Sequence, residues 1–137
     1  MKRFSLFLAT IFIFSVFLTS CESVGQADDV AAKFYEKVEN KAYTEVTDLV
    51  DDEALKNHPA QVWTDLLEAK EEYWGDFISY KRTAFSTKTE NGQTTTTLDF
   101  NVEHENGTVY ERIKFIKRND KMKIYNYQYN ASSDELE

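Results

Sequence analysis

The chain has 137 residues with 24 acidic and 16 basic side chains, a formal charge of −8. That length suits one domain with one core, and an acidic chain is repelled by phosphate backbones, so nucleic acid is not an expected partner. One cysteine excludes an intramolecular disulfide, and no nucleophilic triad, metal cluster or cofactor box is visible, so neither a cofactor nor catalysis is expected.

Met1-Lys2-Arg3 is a short positive segment, and Phe4 to Leu18 is apolar apart from Ser5, Thr10 and Ser15. This is the layout of an export signal, and fifteen helical residues reach about 22 Å, short of the roughly 30 Å hydrocarbon core. Leu18-Thr19-Ser20-Cys21 resembles the bacterial lipobox. The resemblance implies a signal peptide over 1–20, cleavage before Cys21 and a diacylglycerol on its thiol, with a plain export signal and an incidental cysteine as the alternative. A lipid-anchored envelope protein is then expected, with the outer membrane favoured over the inner because Glu22 follows the cysteine. The mature chain carries 14 basic and 24 acidic residues, a charge of −10, so a polybasic grip on lipid is not expected.

Residues 21–28 read as the lipidated cysteine and a short tether, 29–130 as the domain and 131–137 as an acidic disordered tail. Asp28 or Asp29 can cap a first helix whose stripe is Val30, Ala31, Phe34, Tyr35 and Val38. Thr44 can cap a second, burying Val46, Leu49 and Val50 and continuing or restarting through Ala54 and Leu55. Asp48, Asp51, Asp52 and Glu53 lack the spacing of a calcium loop and read as a solvated face with caps. After His58-Pro59 a third helix spans 60–74, with Val62, Trp63, Leu66, Leu67, Lys70, Tyr73 and Trp74 as its stripe and Gly75 as its C-terminal cap.

From Phe77 the period becomes two, and Asn91-Gly92, Asn106-Gly107 and Asn119-Asp120 read as hairpin turns. They predict strands over about 77–90, 93–105, 108–118 and 121–130. The expected fold is α+β, three N-terminal helices on a curved four-stranded antiparallel meander.

Two-residue turns set a register in which Phe85, Leu98, Phe115 and Ile124 form one row, and Thr83, Phe100, Ile113 and Asn126 the next, on the face that meets the helices. Further along that face Lys81, His104, Glu111, Asn126 and Gln128 would line a polar pocket mouth, with His104 and Glu111 as acid–base candidates. The alternative is a sheet that ends in solvent. The other face would carry Tyr80, Arg82, Tyr110, Arg112, Tyr125, Tyr127 and Tyr129, either ordinary cross-strand pairs or a protein interface.

Ala32-Lys33-Phe34-Tyr35, Tyr43-Thr44-Glu45-Val46 and Trp74-Gly75-Asp76-Phe77-Ile78-Ser79-Tyr80, in helices followed by a meander, resemble the nuclear-transport-factor-2-like, or ketosteroid-isomerase-like, superfamily with its cystatin-like cone. The resemblance implies a sheet curved around a pocket and an outer face that forms dimers. The His-Asp pair of enzymatic members has no counterpart by motif, and the stretch between Asp51 and Pro59 has no room for the extra hairpin of longer enzymes. The expected function is a non-catalytic domain binding itself or an envelope protein through the sheet face. The alternatives are a small molecule in the cone or an isomerase- or dehydratase-like enzyme.

Overall fold

A computed structural model describes residues 2–136, with side chains described from Cys21 onward, Ser133 excepted. The expected export signal therefore lies outside the residues whose side chains are described. Helix α1 (Lys2–Glu39) is followed by a 3-10 helix (Tyr43–Leu49), α2 (Asp52–Asn57) and α3 (Ala60–Trp74). Strands β1 (Phe77–Glu90), β2 (Gln93–His104), β3 (Gly107–Arg118) and β4 (Lys121–Asn130) then form one antiparallel meander in the order β1-β2-β3-β4. The class is α+β, with a curved, unclosed sheet. Among the residues with described side chains, no helix is long and apolar enough to cross a membrane.

Alternation drives the packing. Leu98, Phe100, Ile113, Phe115 and Ile124 point to one face, hereafter the inner face, and are fully or almost fully buried under the helices. Each such side chain contributes roughly 1.5–3 kcal/mol on burial. Helix α1 supplies Ala27, Ala31, Phe34, Tyr35 and Val38, at helical spacing, to the same core.

The helices differ from expectation at three points. Residues 22–27 are helical, and Asp28 and Asp29 lie within α1 instead of capping it. The buried spacing begins earlier, at Ser23 and Ala27. The second helix restarts after Val50, one of the two forms expected, and Val50 bridges to Ile124 while the Asp51 amide donates to the Ile124 carbonyl at 2.8 Å. Asp51 then caps α2 by accepting from the Glu53 amide at 3.1 Å, so Thr44 caps nothing. On α3 the buried residues are Trp63, Thr64, Leu67, Lys70 and Glu71, whereas Val62 and Tyr73 are 48% and 76% exposed. The two exposed residues fall on the flanks of a stripe that is narrower than its hydrophobicity suggested.

The turns at Asn91-Gly92 and Asn119-Asp120 form with positive φ at both residues, as tight hairpins require. The middle turn is Glu105-Asn106, with His104 opposite Gly107. Its amides are taken by the link between α3 and β1: Glu105 donates to the Asp76 carbonyl and Asn106 to that of Trp74. This slides β2 against β3 by two residues, which preserves faces. Leu98 therefore faces Ile113, and Phe100 faces Glu111.

Three irregularities do change faces, the first of them between Phe77 and Ser79, where Ile78 is the extra residue and Phe77 returns to face His104. The β1–β2 register shifts between Arg82 and Ala84, leaving Thr83 as the extra residue. The β3–β4 register shifts beside Phe115, leaving Tyr125 as the extra residue between Ile124 and Asn126. A bulge of one residue inverts every side chain beyond it and bends the strand. Tyr80 and Arg82 on β1, and Tyr127 and Tyr129 on β4, consequently stand opposite inner-face partners. After β4 a short 3-10 turn (Ser133–Glu135) follows, and the Leu136 carbonyl beyond it accepts from Arg112 on β3.

Candidate functional site

Of the five residues expected at a pocket mouth, the structure brings two together on the inner face. His104 is 3% exposed and Glu111 wholly buried. Lys81 pairs with Asn101 on the outer face, and the bulge at Tyr125 carries Asn126 and Gln128 to that face as well. Of the seven expected interface residues, Tyr110, Arg112 and Tyr125 remain outside. Arg82 instead pairs with Asp28 of α1 at 2.5 Å. Tyr80 stacks on Tyr35 with ring centroids 4.1 Å apart, Tyr127 is buried, and Tyr129 packs against the core.

The inner face holds a closed polar centre. Lys70 Nζ lies 2.5 Å from Glu111 Oε1, and both side chains are 0% exposed. Tyr35 donates to Glu111 Oε2 at 2.9 Å, and Lys70 also donates to the Tyr127 hydroxyl at 3.0 Å. The ammonium further lies 5.6 Å and 6.0 Å from the Tyr127 and Tyr129 ring centres. Burial, reinforced by the Glu111 carboxylate, holds the Tyr35 and Tyr127 hydroxyls well above the usual tyrosine range. Both stay protonated, and Tyr35 donates to the buried carboxylate. Such a pair tolerates removal from water only because its remaining valences are satisfied.

The sequence places Lys70 on a buried stripe, where a cation must be neutralised. A lysine within such a stripe, and a glutamate on an inner strand position, were the available signal for this pair.

His104 is held by its backbone surroundings. Its Nδ1 lies 2.8 Å from the Gly75 carbonyl, so that nitrogen carries the proton, and Nε2 is buried without a hydrogen-bond partner. Burial lowers its pKa, only partly opposed by the bond to Gly75. The imidazole is thus neutral, and it is bonded to a carbonyl where an acid–base pair would need a carboxylate. Gly75 takes φ +82°, and a Cβ there would meet Glu105 Cβ at 2.9 Å, so glycine is required.

The outer face is built differently. On adjacent strands, Arg112 Nε and Nη2 donate to both carboxylate oxygens of Asp99 at 2.7 and 2.9 Å. This fork-to-fork geometry fixes the guanidinium, and the Asp99 bond raises the Arg112 pKa. Around the pair the twisted sheet forms a hollow of about 480 Å³ lined by Ser86, Thr97, Asp99, Arg112, Lys114 and Asn126 among others. A second, apolar groove of about 200 Å³ lies between α3 and β4, lined by Val62, Trp63, Leu66 and Tyr127. Among the described residues no group of histidine, cysteine and carboxylate side chains is arranged to hold a metal. Cys21 is exposed.

Neither a protein-family model nor a curated protein matches the chain. Solved structures do. The 1.8 Å structure of Aln2 from a Streptomyces species matches with a TM-score of 0.56 at 8% identity, over 80% of this chain and 90% of that one. A 2.5 Å structure from Catenulispora acidiphila matches with a TM-score of 0.51, also at 8% identity, over 78% of this chain and 89% of that one. At such identity the likeness is one of fold.

Proposed function

We propose that this chain is a lipid-anchored envelope protein of the nuclear-transport-factor-2-like kind, and that it binds a protein partner or a second copy of itself through the outer face of its sheet. One observation carries the reading. The helices of the described residues pack on the inner face, which leaves Tyr110, Arg112 and Tyr125 half-buried on the outer face, where Arg112 lines a formed hollow together with Phe85. Aromatic residues and arginine around a depression are the composition of contact surfaces. The envelope part rests on the lipobox resemblance at Leu18 to Cys21 and the apolar run before it.

Full burial of Glu111 and the inward packing of His104 favour this reading over a ligand held within the cone. The carbonyl partner of His104 favours it over an isomerase- or dehydratase-like enzyme. The test is sedimentation of the chain with Cys21→Ala, alone and after Tyr110→Glu or Tyr125→Ala, followed by cross-linking in intact envelopes. Self-association or one envelope cross-link that both outer-face changes abolish is expected. Monomeric sedimentation together with cross-links indifferent to both changes would sink the proposal.

A further inference from the structure

The hollow on the outer face has a definite charge pattern in an otherwise acidic chain. Arg112 commits Nε and Nη2 to Asp99 and turns Nη1 to a main-chain acceptor, the Leu136 carbonyl at 3.3 Å. Lys114 stands two residues along the same face of β3. Its charge is answered only by the Tyr125 ring, 6.0 Å away, and among the described residues it makes no ion pair. Residues i and i+2 of a strand are about 6.6–6.8 Å apart, which is also the repeat of same-side groups in an extended peptide. An arginine that takes a peptide carbonyl and a lysine one repeat away thus match a peptide carrying a carboxylate one repeat from the bonded carbonyl.

The chain already brings an acidic segment of its own to the rim, where the Leu136 carbonyl takes Arg112. Ser132 accepts from the Asp134 amide at 3.4 Å, and the resulting turn sends the chain from the end of β4 back to Arg112. Leu136 is half-buried there, while Asp134 and Glu135 remain exposed.

We propose that the hollow receives an extended acidic segment of a protein partner, and that residues 131–136 of the same chain compete for Arg112. The inference rests on the outer-face reading above and specifies its partner chemistry. Opposite charge speeds such an encounter and makes it salt-dependent.

The probe is a fluorescein-labelled peptide of residues 130–136, Asn-Ala-Ser-Ser-Asp-Glu-Leu, titrated by anisotropy against the whole chain. The chain with Asp134→Lys and Glu135→Lys should bind it at least about tenfold more tightly than the unaltered chain, because the internal competitor is weakened. Lys114→Glu, at a half-exposed site, should abolish binding, and Lys114→Gln should weaken it. Binding that is equal in both chains, absent from both, retained by Lys114→Glu, or matched by a peptide with lysines at the two acidic positions would overturn the inference. So would full competition by inorganic phosphate at equal concentration, which would mark a simple anion site. Sedimentation without peptide scores the outer-face reading separately, since a Tyr110-dependent association that survives loss of peptide binding overturns only the acidic-segment inference.

Discussion

Glu111 and Arg112 are neighbours in β3, and each is half of an ion pair, yet alternation sends them to opposite faces. Glu111 meets Lys70 with both side chains at 0% exposure, whereas Arg112 meets Asp99 with 29% and 21%. The inner pair was removed from water and depends on its tyrosine partners. The outer pair keeps contact with solvent and remains available to other molecules. Position relative to the sheet, more than the chemistry of the charges, assigns one pair to holding the fold and leaves the other, on the function proposed above, for recognition.

The sharpest way to break this contrast is to remove half of the inner pair. Lys70→Met leaves a buried carboxylate without its cation, and urea unfolding should show a loss of about 3–5 kcal/mol. Lys70→Met combined with Glu111→Leu should recover most of that loss, because two apolar side chains replace two charges that had been desolvated. A double variant no more stable than Lys70→Met would show that the pair is not the source of the effect. Tyr35→Phe deprives Glu111 Oε2 of its 2.9 Å donor. It should cost about 1–3 kcal/mol by the same measurement.

Much of this contrast was legible in the sequence. The strands over 77–90 and 121–130 and the helix over 60–74 match the structure end to end, because proline, glycine and the turn dipeptides fix local geometry strongly. The expected polar mouth was not, and the reason is local. A turn sets register only until the first bulge, and those at Thr83 and Tyr125 carry no glycine to announce them. Beyond Tyr125 the turn-based register would bury Asn126 and Gln128 and expose Tyr127 and Tyr129. Hydrophobicity argued the opposite, since buried Met122 and Ile124 are followed at a spacing of three by buried Tyr127. That break in period was the readable trace of the bulge. Nothing comparable announced the return of Leu136 to Arg112, which depends on a turn beyond the last strand.

The two faces should also differ in their response to pH. Burial lowers the His104 pKa below its ordinary value of 6.5, so the unfolded chain binds a proton there more readily than the folded one. His104 therefore contributes stability that is fully present above about pH 6.5 and is lost as pH falls toward its folded-state pKa. The raised Tyr35 and Tyr127 values act at the other end, with stability complete below pH 10 and lost above it as the unfolded tyrosines ionise. Unfolding midpoints measured from pH 5 to 8 should rise with pH, and His104→Phe should flatten that rise. An unchanged slope in the variant would assign it to other groups.

The smallest stability effect belongs to the outer pair. Arg112→Ala removes a bidentate contact that is still partly solvated, and pairs of this exposure are worth about 0.2–1 kcal/mol. Added salt should shrink even that difference, whereas it should hardly alter the Lys70→Met loss. The same substitution removes the donor that holds the Leu136 carbonyl, so the C-terminal segment should gain amide hydrogen exchange while the core strands keep their protection. A loss of several kcal/mol, or exchange rising across β2 and β3, would place Arg112 among the groups that hold the fold and would erase the distinction between the two faces.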